Sequence, residues 1–373
     1  MRLSRALLVF GTVWVAAALP PRRAGAQSPP PPPSRGGTAS AATVRWPVRT
    51  LPHVDLWLHS FALLSNDSAR APTVPLYARG YRDSLLVARH RRNVLTSLDG
   101  NQAALVAGLA QAGGYLEAQF LPFEFTSWEA MRSAADLFVQ IQGDPRRAPS
   151  RAAQSQLAPF AGVFPTAADR EWLRLFLTSV SDEQTRFFEA DYQATYRARQ
   201  AVITAVDSLW QQVYRAKFER FLNNSGQRQG DILLTLPIGG EGRSGNARGM
   251  RTMVAVPFPS RPADAPDVLY VLAHELTGTL VGPVVTDHVT PAEQRAGIGS
   301  RYVSIGQVAA GAMLLQRIAP ELRDGYERYY LMQTGVTIPP GATSATLFNQ
   351  TFVLPPIIRD ALGRQLDLVL GGI

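Results

Sequence analysis

The chain has 373 residues, 46% of them hydrophobic, which suits one large or two small domains with a sizeable core and excludes global disorder. Its formal charge is +8, but Arg2, Arg5, Arg22 and Arg23 lie in a segment expected to be removed, leaving about +4 among charges of mixed sign. No basic block interleaved with aromatics occurs, which argues against nucleic-acid binding. The absence of cysteine removes disulfides, thiolate metal sites, cysteine nucleophiles and a lipid anchor on cysteine.

Residues 1–26 read as a secretory signal peptide. Arg2 and Arg5 form its positive start, an apolar middle runs from Ala6 to Leu19, and Ala24-Gly25-Ala26 is a small-residue cleavage site. The expected location is therefore exported, periplasmic or secreted. The apolar middle is shorter than the ~20 residues that span a bilayer, and no second run of that length is evident in the sequence, so no transmembrane anchor is expected. Residues 27–43 hold five consecutive prolines, Pro29 to Pro33, and then Gly36-Gly37, a polyproline spacer running into a flexible stretch.

From 44 to 222 the pattern is helical. Apolar residues three and four apart predict helices over 54–64, 85–98, 102–111, 128–142 and 172–177. A longer helical segment, 182–221, carries Phe187, Phe188, Tyr192, Tyr196, Trp210 and Phe218 on its apolar side, as core rather than a ligand cage. His53 and His59 are off a shared helical face and read as partly buried polar residues. The turn cluster Asn223-Asn224-Ser225-Gly226 opens the second region, 223–373. There 231–238 reads as a strand, 239–249 as a glycine-rich hairpin tip and 250–257 as a second strand. A helix over 267–281 is expected to stop at Gly282-Pro283. Helices over 302–318 and 320–330, a short strand near 347–353 and a last helix over 356–370 complete the reading. The expected fold class is α+β and predominantly helical.

The chemistry is concentrated at His274-Glu275-Leu276-Thr277-Gly278. The pattern H-E-x-x-H places two imidazoles on one helical face to hold zinc, with a glutamate beside them to activate a metal-bound water. Here Gly278 stands where the second imidazole would be, and it has no side chain to coordinate with. A mid-helix glycine also costs about 1 kcal/mol relative to alanine. No G-x-S-x-G elbow occurs, and the glycine-rich stretch from Gly239 lacks the ending of a phosphate loop.

Across residues 228–335 this order of strands and helices resembles the gluzincin-type zinc metallopeptidases. The helix with Leu280 and Gly282-Pro283 is similar to the H-E-F-x-H-x-x-x-x-P helix of uncharacterised secreted bacterial members. The resemblance implies that His274 matches the first zinc ligand and Glu275 the general base, that Gly278 occupies the second-ligand position, and that Gln307 on the next long helix stands where the third ligand, a glutamate, is expected. Both replacements point to a degenerate site, with His274 and Glu275 vestigial, an aromatic neighbour filling the space at Gly278, and no cofactor.

The expectation is thus a catalytically inactive, exported metallopeptidase-like protein that binds an extended peptide or protein segment along the free edge of the 231–238 strand. One alternative is an active zinc peptidase with His288 as a substitute ligand and Glu293, Glu321 or Glu327 as carboxylate. Another is a structural or scaffolding envelope protein, in which the His-Glu helix is only a core helix and the strand edge is covered.

Overall fold

The computed structural model describes residues 46–65, 74–111, 116–247 and 251–371; the expected signal peptide and spacer lie outside the described residues. Residues 44–373 cluster as one compact unit. The fold is predominantly helical with one small mixed sheet, as the α+β reading expects.

The short strand β1 (Val48–Arg49) leads into α1 (Pro52–Leu64). There follow α2 (Tyr81–Arg91), α3 (Ser97–Gly100), α4 (Gln102–Gln111), a 3-10 segment over Leu116–Glu124, α5 (Trp128–Gln140), α6 (Arg151–Val163) and α7 (Ala167–Glu183). The long segment expected over 182–221 is not one regular helix. A π turn over Gln184–Phe188 joins α7 to α8 (Glu189–Ala198), and α9 (Gln200–Leu209) passes through a second π turn, Trp210–Tyr214, into α10 (Arg215–Asn224). The expected 85–98 helix is likewise broken, because Asn93 takes a left-handed conformation (φ 51°) and Thr96 starts α3 with a capping box.

The sheet holds β1, β2 (Gly230–Thr235), β3 (Arg243–Ala247) and β4 (Arg251–Pro257) in the order β1-β2-β4-β3. β2 is parallel to both neighbours, with Val48 against Ile232 and Ile232 against Val254, while β3 runs antiparallel to β4. Two expectations are corrected here. The glycine-rich stretch is not the tip of a hairpin between two strands: 236–242 carries the chain across to the far side of β4, and β3 itself follows. Nor is β2 a free edge. β1 covers it at Ile232 and Leu233, the Asp55 carboxylate accepts from the Leu236 N–H at 2.6 Å, and the Ala78 N–H donates to Pro237 O at 2.8 Å.

All six residues of β2 are buried, so the sheet is enclosed on both faces. Ile232, Leu234, Val254 and Val256 pack into a core with Trp210, Phe218 and the later helices. Leu233, Met253 and Ala255 pack into a second core with α1 and the aromatic residues of α5 to α7. α1 is buried on every side, which corrects the partial burial expected of its histidines: His53 is 4% and His59 1% exposed.

After β4, α11 (Ala265–Thr286), α12 (Pro291–Arg295), α13 (Ile298–Ile318), α14 (Arg323–Gln333), α15 (Ser344–Thr351) and α16 (Pro356–Val369) complete the chain. α11 does not stop at Gly282-Pro283. Pro283 removes one N–H, but its carbonyl still accepts from Asp287 N at 3.0 Å, and buried Val281 and Val285 continue the apolar stripe past it. The expected strand near 347–353 is helix α15 with its cap, where the Phe348 and Phe352 rings meet at a tilt one turn apart, 4.8 Å between centroids. α11 is also long and apolar enough to cross a membrane, contrary to the expectation of no second such run; its apolarity matches burial against β4 and α13.

Gly230 marks the tightest contact of the central strand. A Cβ there would lie 2.5 Å from Trp46 Cζ2 and 2.6 Å from the Thr252 carbonyl. Gly230→Ala is expected to lose about 1–3 kcal/mol of stability, whereas Gly162→Ala, with open space around it in α6, is expected to be neutral or to gain up to about 1 kcal/mol. Urea unfolding of the two variants beside the parent checks the contrast.

Candidate functional site

α11 begins after a 3-10 turn at Pro262–Asp264 and lies under the sheet, buried on nearly all sides from Val268 to Thr277. A helix apolar all round belongs in a core, and that is where His274 and Glu275 are. His274 is 0% and Glu275 4% exposed. Neither His274 ring nitrogen has a hydrogen-bond partner; the nearest carboxylate oxygen is Glu275 Oε1, 3.5 Å from Nε2. The Tyr330 ring flanks the imidazole at 5.3 Å between centroids.

β3 and the crossing before it close over this pair. Gly242 has φ +62°, and a Cβ on it would come within 2.9 Å of Glu275 Cγ, so the backbone passes directly over the carboxylate. Glu241, 7% exposed, pairs with Arg243 at 2.9 Å, leaving its Oε2 without a partner. The Tyr330 hydroxyl donates to Gly240 O at 3.1 Å. Glu275 Oε1 is unpartnered as well. Four buried polar atoms without partners thus lie on His274, Glu275 and Glu241. An unmet buried donor or acceptor costs about 1–3 kcal/mol, and such groups mark functional or strained places.

The electrostatics follow from burial. Desolvation, helped by the Arg243 charge, drives the His274 pKa down to about 3, so the imidazole is neutral. Desolvation pushes the Glu275 carboxyl up to about 7; Arg243 and the donors of Ser244 pull against that, and Glu241 adds to it. Burial also raises Glu241, with Arg243 opposing.

The structure brings Gln307 to Gly278. A Cβ on Gly278 would lie 2.7 Å from Gln307 Nε2, so a carboxamide, and not the expected aromatic ring, occupies that space; the aromatic neighbour, Tyr330, packs beside His274 instead. His288 is not brought in. It lies beyond the end of α11, with Nδ1 2.7 Å from the Val284 carbonyl. At 1.5 Å of rise per residue it is roughly 20 Å along the axis from His274, too far to share an ion. Glu293 closes the capping box of α12, Glu321 pairs with Lys217, and Glu327 pairs with Arg323 at 2.8 Å.

A catalytic zinc site needs three protein ligands. Around His274 there is one imidazole, a glycine and an amide, and among the described residues no three His, Cys, Asp or Glu side chains form a metal-holding group. The side chains present therefore do not fit zinc.

Sequence reasoning missed Glu241 and Arg243, whose signal was a Glu-x-Arg pair in a glycine-rich run between two buried strands. It also missed a second polar assembly. His59 Nε2 donates to Glu183 Oε1 at 3.0 Å, and the Tyr81 hydroxyl lies 3.1 Å from His59 Nδ1. Thr96 Oγ1 donates to Glu183 Oε2 at 2.6 Å, and Arg89 pairs with the same oxygen at 3.1 Å. Burial raises the Glu183 carboxyl, but His59, Thr96 and Arg89 outweigh it and leave the pKa lowered. A satisfied network of this kind ties helices together.

No family model, curated protein or solved structure matches this chain. The pair itself makes a testable statement about pH. Glu275 titrates near 7 folded against 4.5 unfolded, so its contribution to stability is present below about 4.5 and is lost as pH rises to about 7. His274 does the reverse: the penalty of keeping it neutral is present below about 3 and fades as pH rises to about 6.5. Glu275→Gln is therefore expected to gain stability relative to the parent between about pH 4.5 and 7, measured by denaturant unfolding at stepped pH. A pH-independent difference would contradict the burial of an ionisable Glu275.

Proposed function

We propose that the chain is an exported, metallopeptidase-like protein that does not hydrolyse peptides through zinc, with the His-Glu helix retained as the central post of its core. The observation that carries this reading is the Gln307 amide 2.7 Å from where a Gly278 Cβ would be. The second-ligand position has been taken over by another side chain, so loss of the imidazole is coupled to repacking of the next helix. A carboxamide does not replace the negative charge that a glutamate brings to the metal. Without a metal to bring the water pKa from ~15.7 toward ~7, Glu275 has no nucleophile to activate.

β2 has no free edge for an extended peptide, because β1, Asp55 and Ala78 take the backbone groups along it and its continuation. Enclosure of that strand favours the structural or scaffolding reading over the peptide-binding one.

Two measurements test the proposal. The mature protein, dialysed against zinc, is expected to retain no stoichiometric metal and to leave unfolded protein substrates uncut. One zinc per chain, lost together with peptidase activity in His274→Ala, would overturn it. The paired substitution Gly278→His with Gln307→Glu rebuilds the donor set that the family pattern requires. It is expected to take up zinc that neither single variant holds, read by metal analysis after gel filtration; a folded double variant that stays metal-free removes the metallopeptidase alignment.

A further inference from the structure

Outside the His274 pocket, a cleft of about 280 Å3 opens where the first turns of α1 and α5 meet the π turn at Gln184–Phe188. Trp128, Phe188 and Tyr192 line it, together with His53, Glu129 and Glu189. No Lys or Arg lines it. We propose that this cleft binds a small organic ammonium ion, primary or quaternary, through its aromatic rings and two carboxylates. The inference is independent of the metallopeptidase reading.

Charge selects the ligand class. Both glutamates are exposed and neither is ion-paired to Arg or Lys among the described residues. Glu129 is held below the usual carboxylate range by its own backbone N–H and the Ser127 hydroxyl, so it stays ionised at neutral pH. His53 contributes no positive charge: burial lowers its pKa, opposed in part by the Pro122 and Phe125 carbonyls. Its Nε2 donates to those carbonyls at 3.2 and 3.0 Å, which leaves the lone pair on Nδ1. The lining thus carries two negative charges and no positive one.

Two helix N-termini meet here, and their positive ends would ordinarily invite an anion. In this cleft they are already used. α1 opens on Pro52, which has no N–H, and the amides of Val54 and Asp55 donate to Leu51 O at 3.0 and 3.1 Å. At α5 the Ser127 hydroxyl accepts from Ala130 N at 3.2 Å, with the Glu129 carboxylate beside it. An anion would find few free donors and two like charges.

The apolar side points the same way. A cation over an aromatic face gains about 0.5–2 kcal/mol, more when desolvated. The Tyr192 side chain is 3% exposed, with its ring stacked on those of Phe188 and Tyr196 at 5.3 and 6.3 Å between centroids. The π turn supplies Gln184 and Phe188 to the cleft, and such turns recur at functional positions. The Glu183 network immediately before it fixes its place.

Isothermal titration of the mature protein with tetramethylammonium and with butylammonium tests the proposal, with acetate and glucose as the contrasting probes. Saturable binding of at least one cation at about millimolar concentration is expected, weakening as ionic strength rises. Glu189→Gln, and Glu129→Gln with Glu189→Gln, alter exposed side chains and are expected to fold like the parent by circular dichroism. The double variant should bind the cation about tenfold more weakly. Absence of saturation by either cation, binding of glucose or acetate in their place, or unchanged affinity in the folded double variant would overturn the proposal.

Discussion

Enclosing β2 on both faces obliges every backbone group along it to find a partner within the protein, and those partners organise the molecule. β4 takes one side. On the other, β1 reaches only Ile232 and Leu233, so the strand's continuation turns to the Asp55 carboxylate at Leu236 and to the backbone of Ala78 at Pro237. Asp55 lies on α1 and is itself 0% exposed. Burial raises its carboxyl well above the usual range, with the Leu236 N–H and Arg199 opposing. An acid placed there must be matched to the strand end, which fixes where α1 lies against the sheet. The aromatic core of Trp57, Phe61, Trp172 and Phe176 is built around that helix.

The opposite face of the sheet imposes the same constraint on α11. A helix buried all round cannot present a polar pair to water, so His274 and Glu275 are desolvated together and respond in opposite directions, the base falling and the acid rising. Both are then neutral over part of the mildly acidic range, the least costly state for an unpartnered pair in a core. Above about 7 the carboxylate charges, and Arg243 is the cation that opposes its burial. Arg243 is on β3 with its side chain 28% exposed, so the outermost strand of the sheet carries the charge that partly offsets burial of a residue beneath it.

Helices whose apolar residues recur at 3.6-residue spacing were legible in the sequence: the 102–111 element matches α4 end for end, and α1, α13 and α16 differ by a few residues. The approach of Gln307 to Gly278 was also legible, through the family pattern alone. The order of strands was not. A strand buried on both faces shows no alternation, so 231–238 looked the same whether edge or interior, and the two residues that cover it are far off in sequence, at Val48 and Arg49. π turns add one residue to a turn without changing composition, so Gln184–Phe188 was hidden in a continuous apolar stripe. Phe348 and Phe352 fell within the strand expected near 347–353, while their four-residue separation was the helical signal.

The two buried polar assemblies separate by how completely they are satisfied. Around Glu183 both carboxylate oxygens and both His59 nitrogens have partners drawn from α1, α2, α7 and the start of α3. Removing any member strands another, which is the behaviour of a structural tie. Around Glu275 the reverse holds: His274, Glu275 and Glu241 together leave four polar atoms unmet, and Arg243 is shared by two acids. A site built only for stability would be expected to exchange such groups for apolar ones of similar size, since a well-packed apolar substitute is often neutral or better. Their presence sets this place apart from the satisfied Glu183 network: Gln307 fills the space beside Gly278 of α11, while His274 and Glu275 on that helix keep polar atoms that nothing meets.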